Sequence, residues 1–115
     1  MSFGTLDPSS NANVTVPVQA AVANANRVGD CQNGGGNTLQ ITADNGQWFS
    51  GSRRLKNLTS ADFIDYSLTG LPLTLSRPGN NVYVIFTFNG TVAGSAYANA
   101  PAGNYSDTVL ITVTP

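Results

Sequence analysis

Histidine and glutamate are absent from this 115-residue chain, and lysine, cysteine and tryptophan occur once each. Without histidine, no Ser-His-Asp or Cys-His arrangement can be built for nucleophilic catalysis. Zinc-type metal sites lose their usual nitrogen ligand, and the lone Cys31 cannot supply a thiolate cluster. Aspartate is the only acid, in six copies, and charged residues make up 10% of the chain, well under the usual quarter of a soluble protein. Arg53, Arg54 and Lys56 are the only local concentration of basic charge. Three such charges read as solvated strand-edge groups and fall short of the basic patch that phosphate neutralisation requires, so nucleic acid is not an expected partner. No apolar run approaches the roughly 20 residues of a membrane-spanning helix. The opening Met1-Ser2-Phe3-Gly4 carries no signal-peptide pattern, so an exported form would take its targeting segment from elsewhere.

Helix signals are almost as scarce. No stretch repeats apolar residues at three- and four-residue spacing with caps. The alanine-rich Val18–Ala25 is the best candidate, but its flank Val14-Thr15-Val16-Pro17 points to an edge strand. Strand signals, by contrast, run the length of the chain. Val14-Thr15-Val16 alternates, and Thr38–Thr42 alternates with Leu39 and Ile41 on one face. Asn81–Phe88 is dense in β-branched and aromatic residues and reads as a central strand buried on both faces. Thr108–Thr114 closes the chain in the same style. Turn signals at Asp44-Asn45-Gly46, Arg77-Pro78-Gly79-Asn80, Asn89-Gly90 and Ala100–Gly103 separate these runs. The length suits one domain, spanning residues 1–115. Several short strands with such punctuation predict an all-β sandwich or small barrel.

The candidate chemistry is thin. Asp62 and Asp65 lie close enough in sequence to suggest a glycosidase-like carboxylate pair, yet no other catalytic part accompanies them, and solvent-exposed strand-edge or loop polarity is the plainer reading. Asp44-Asn45 lacks the ligand spacing of a calcium loop and reads as a turn. Trp48, beside Phe49, offers either a sugar-stacking platform or a core or hairpin aromatic, the latter being the simpler use of its area. Gly34-Gly35-Gly36 has neither the helix nor the lysine of a phosphate loop. The triplets beginning at Asn13, Asn57, Asn89 and Asn104 match glycosylation acceptors, which matter only in a eukaryotic secretory pathway. Cys31 is consistent with a disulfide partner outside the chain, an intermolecular bond or an inert buried thiol. We expect neither catalytic nor metal-binding residues, and no cofactor.

Four segments nevertheless carry a resemblance. Phe3-Gly4-Thr5-Leu6-Asp7, Cys31 at a strand end, Ser52–Asn57 and the closing Ala100–Val113, with its Ala-Gly-X-Tyr-X-Asp-Thr-Val motif, resemble the spore coat protein U domain family in the same order. That family includes the subunits of archaic, Csu-type chaperone–usher pili. The resemblance implies an incomplete immunoglobulin-like β-sandwich of six to seven strands, lacking its final G strand. Its vacant groove would be filled first by a periplasmic chaperone and then by the N-terminal strand of the neighbouring pilin subunit, with an outer-membrane usher assembling the fibre. The expected place of action is the cell surface, reached through the periplasm, and the expected role is structural support of adhesion and biofilm formation. A non-polymerising secreted coat or matrix protein and a pilus-tip adhesin domain, binding through Trp48-Phe49 or Leu71-Pro72-Leu73, are the alternatives. Family pilins carry a first cysteine and the donor strand before the Phe-Gly-Thr segment, so the resemblance places the disulfide partner of Cys31 outside these residues. It assigns the groove walls to apolar residues of the first and last strands: Phe3, Leu6, Val109, Ile111 and Val113.

Overall fold

Wherever apolar and polar residues alternate, the chain is extended, and the alternation decides which face each strand buries. The computed structural model describes residues 1–22, 38–76 and 84–114. Among them are β1 (Ser2–Leu6), β2 (Val14–Val22), β3 (Thr38–Ala43), β4 (Arg53–Asn57), β5 (Phe63–Thr69), β6 (Leu73–Ser76), β7 (Val84–Val92), one helical turn α1 (Gly94–Tyr97), β8 (Gly103–Ser106) and β9 (Ile111–Thr114). They form a six-stranded antiparallel sheet, ordered β1-β8-β4-β5-β7-β2, and a three-stranded antiparallel sheet, ordered β6-β3-β9.

The fold is all-β in two layers. Nine strands are described against the six to seven expected. Gly70, at φ 93°, and Pro72, which has no N–H for a ladder, separate β5 from β6. The closing strand expected over Thr108–Thr114 is shorter, Ile111–Thr114, because at residues 107–110 the chain leaves the six-stranded sheet and enters the other.

β7 departs from its sequence reading. It pairs along its whole length with β2, from Val14↔Val92 to Val22↔Val84, but it is not buried on both faces. Phe86 and Phe88 are buried, whereas Thr87 is exposed and Ile85 is 60% exposed. Nor is Asn89-Gly90 a turn, since both residues lie inside β7. A Cβ at position 90 would strike the Met1 Sδ and come 2.8 Å from the Phe3 ring, so this glycine admits the side chains of Met1 and Phe3 against the sheet. The expected turn at Asp44–Gly46 falls between β3 and β4, and that at Ala100–Gly103 lies before β8 except for Gly103, which opens that strand, whereas Arg77–Asn80, Gly34–Gly36 and Cys31 lie outside the described residues.

Among the described residues, two apolar clusters form the interior. The first gathers Phe3, Leu6, Leu55, Ile64, Tyr66, Val92, Tyr97 and Tyr105 inside the six-stranded sheet. The second is smaller: Leu39, Ile41, Phe86 and Phe88 are buried, while the flanking Leu73, Leu75, Ile111 and Val113 are only partly so. β5 reaches β7 only at Ser67↔Thr91, Leu68↔Gly90 and Thr69↔Asn89. The β2–β7 ribbon therefore projects beyond β5, and the three-stranded sheet packs against that projection.

Candidate functional site

The crossover at residues 107–110 sets the position of β9, and buried polar groups hold it. Asp107 is 4% exposed, and its carboxylate accepts hydrogen bonds from the Tyr66 hydroxyl (2.6 Å), the Gln47 N–H (2.9 Å) and the Thr108 N–H (2.8 Å). A buried carboxylate is tolerable only with such donors around it. Its backbone N–H donates to the Met1 carbonyl at 2.9 Å, and its carbonyl accepts from the Met1 amino group. Asp44 fastens the next part of the crossover. Its Oδ1 accepts from the N–H groups of Leu110 (3.0 Å) and Gly46 (2.9 Å), and its own N–H donates to the Leu110 carbonyl at 2.9 Å.

These bonds shift two titrations. The Leu110 N–H first, then the Gly46 N–H, hold the Asp44 carboxyl below its ordinary value, with the Arg53 charge adding to the effect. Burial, followed by the hydrogen bond to and the charge of Asp107, pushes the Tyr66 phenol well above its ordinary value of 10.0.

Hydrogen-bond parity then decides what β9 presents outward. Asp107 directs both backbone groups at Met1, whereas the Thr108 carbonyl and the Leu110 carbonyl and N–H face residues 44–47. The β3–β9 register continues this alternation through Thr42↔Thr112 and Gln40↔Thr114. In an antiparallel pair, successive residues aim their backbone groups to opposite sides. The N–H and C=O groups of Val109, Ile111 and Val113 accordingly point away from β3. Among the described residues nothing pairs with that side of β9, which is an edge of its sheet.

The five residues assigned to the groove divide between the two clusters. Ile111 and Val113 lie together, half-buried, against Leu39, Ile41, Phe86 and Phe88. Phe3 and Leu6 belong to the first cluster, where they are already buried and β1 is paired to β8, and Val109 packs at that cluster's margin. Along β9, then, the open wall is Ile111 and Val113, with Val109 at its end. The floor beneath it includes Phe86 and Phe88, whose rings stack at 6.3 Å and 19°. Sequence reading left them out of the groove, although their i, i+2 spacing in an aromatic run was the available signal.

Other candidates fall elsewhere. Asp62 and Asp65 are exposed, on the loop before β5 and on its outer face, with Ser60 and Ser52 as their hydroxyl partners. Arg53, Arg54 and Lys56 are not solvated edge charges, because β4 lies inside its sheet and all three are half-buried. Arg53 donates to the Asp44 carbonyl (2.7 Å), Arg54 lies 4.1 Å over the Phe63 ring and donates to the Trp48 carbonyl, and Lys56 sits 5.6 Å from the Trp48 ring. Trp48 is half-buried beside Phe63, with centroids 5.9 Å apart. Leu71 and Leu73 pack on the second cluster.

Among the described residues, no three acidic, cysteine or histidine side chains gather as a metal cage. What the β9 edge offers is recognition: a row of unpaired backbone donors and acceptors above a partly open apolar layer. Comparison with family models, with curated proteins and with solved structures finds no match to this chain.

Proposed function

We propose that this chain is a structural subunit of an archaic chaperone–usher pilus, an immunoglobulin-like sandwich completed by a strand from a neighbouring subunit. The observation that carries the reading is the outer edge of β9. Val109, Ile111 and Val113 turn their backbone groups away from β3, while their side chains pack inward and those of Leu110, Thr112 and Thr114 face solvent. An added strand would meet three inward positions in alternation, the pattern of strand addition. Full burial of an aliphatic side chain is worth about 1.5–3 kcal/mol, so three inserted side chains contribute roughly 5–9 kcal/mol before costs. That is comparable with the whole stability of a small domain, ~5–15 kcal/mol.

A second feature supports the immunoglobulin-like part of the reading. The Tyr105 hydroxyl donates to the Pro101 carbonyl, four residues upstream, at 2.7 Å. This matches the tyrosine corner of immunoglobulin sandwiches, where a tyrosine near the start of strand F bonds back to the preceding backbone. On this assignment β8 and β9 stand for strand F, and the vacant place beside β9 is that of strand G. The partners follow: a periplasmic chaperone to fill the place during export, the usher, and neighbouring subunits thereafter.

The experiment is thermal unfolding with a synthetic peptide that alternates valine and threonine, against a control with serine at the inward positions. At 100 times its Kd, a bound peptide adds about 2.7 kcal/mol and raises Tm by roughly 10 °C. An unchanged Tm at saturating peptide overturns the proposal.

A further inference from the structure

Away from β9, the outer face of β5 carries features that a fibre subunit does not need for polymerisation. Phe63, Asp65 and Ser67 alternate outward from buried Ile64 and Tyr66. Residues 95–101, comprising the end of α1 and the turn after it, stand against this face and leave two adjoining clefts that share Ala96. One, of about 270 Å³, is lined by Asp62, Phe63, Ser95, Asn99 and Pro101 among others. The other, of about 260 Å³, is lined by Asp65, Ser67, Thr91 and their neighbours. Together they reach the size of small-molecule sites, roughly 300–1,000 Å³.

We propose that this trough binds a neutral saccharide. The first cleft combines an aromatic ring with a carboxylate, an amide and a hydroxyl. A sugar presents apolar C–H faces to rings and pairs of hydroxyls to such acceptors and donors. The ring is held in place, because Arg54 lies 4.1 Å over Phe63 and Trp48 stands 5.9 Å away. The polar groups are available. Ser60 occupies Oδ2 of Asp62, and among the described residues no protein partner occupies Asp62 Oδ1, the Ser95 hydroxyl or the Asn99 side chain.

Charge selects the class of ligand. Two carboxylates, Asp62 and Asp65, line the trough, and two cations stand beside it, Arg54 opposite Asp65 and Lys56 opposite Phe63 in the β4–β5 register, so the local charge is balanced and favours a neutral ligand. The second cleft is open and adjoins the first at Ala96, which suits successive units of a chain better than a single enclosed ring.

The site lies on a different face from the β9 edge, so it stands or falls independently of the pilus reading. The test is binding of the intact, fluorescently labelled chain to an array of neutral and acidic glycans. Any hit is then followed by NMR titration with that free oligosaccharide. The expected result is saturable binding to a neutral glycan, with shifts confined to residues 62–67 and 91–101. Asn99→Ala and Asp62→Ala each remove a hydrogen-bonding group and are expected to raise Kd about tenfold, at an unchanged Tm. Asn99 is exposed, which makes it the safer variant for folding. Retention of no neutral glycan above the Asn99→Ala background, binding of acidic glycans only, or shifts outside this face would overturn the proposal.

Discussion

The Tyr66 hydroxyl donates a 2.6 Å hydrogen bond to Oδ2 of Asp107, joining β5 to the point where the chain passes from one sheet to the other. Asp107 also accepts from two backbone N–H groups, so its removal leaves the Tyr66 hydroxyl and the Thr108 N–H without this acceptor, while the Gln47 N–H keeps its bond to the Thr108 carbonyl. Asp107→Ala is expected to cost about 3 kcal/mol or more, and Tyr66→Phe about 1.5–3 kcal/mol. Urea unfolding checks both through the midpoint at a constant slope. Because the two side chains touch, the double variant should cost less than the sum of the singles.

The same contact sets an alkaline limit. The phenol of Tyr66 is raised in the folded state by burial and by Asp107, so folding favours its protonated form. The sign follows from linkage: this contribution is fully present below the unfolded value of 10.0 and is lost as pH climbs from there toward the raised folded value. Stability should therefore fall above pH 10 in the parent, and fall less steeply in Tyr66→Phe. Equal slopes in the two proteins would refute the coupling.

Asp44 sets the corresponding acid limit. Its carboxyl is depressed by the Leu110 and Gly46 N–H groups, so its contribution is complete above the ordinary 3.8 and disappears as pH drops through the lower folded value. Asp44→Asn keeps an oxygen for both bonds and should unfold with a weaker acid dependence. Asp44→Ala loses the acceptor and should be destabilised at neutral pH as well, which a pH series of thermal melts separates.

Gly46 occupies a position that only glycine fills. Its φ is 85°, and a Cβ there would collide with the Asp107 carboxylate. Gly46→Ala combines a left-handed backbone with that collision, and is expected to cost about 2 kcal/mol or more. A loss of less than about 0.5 kcal/mol, the level of an ordinary surface change, would mean that the crossover readily gives way.

Alternation made the all-β class and the faces of Leu39 and Ile41 legible in the sequence, because side-chain period maps directly onto strand faces. Non-local pairing was not legible. Arg53, Arg54 and Lys56 read as solvated charges, since nothing in a local window reveals that β4 lies between β8 and β5 or that Trp48 and Phe63 lie under two of those cations. Asn89-Gly90 has the composition of a turn, yet it continues β7, because Met1 and Phe3 need the space that a side chain would take. The crossover was hidden for the same reason. The sequence shows an apolar run ending at Thr114, and only the contacts of Asp107 and Asp44 reveal where that run changes sheets.

Parity along β9 yields a prediction that separates the edge from the ladder. The Thr112 N–H faces β3 through the Thr42↔Thr112 pair, whereas the Val113 N–H faces the free edge. Proline has no N–H and is tolerated in sheets only where that group meets solvent. Thr112→Pro should therefore break the β3–β9 ladder and destabilise the free chain, despite replacing an exposed side chain. Val113→Pro should leave the free chain closer to the parent and abolish the rise in Tm produced by the valine–threonine peptide. If Val113→Pro still responds to the peptide as the parent does, the strand is not being added at this edge. If Thr112→Pro unfolds no more readily than Val113→Pro, the parity assigned to β9 is wrong.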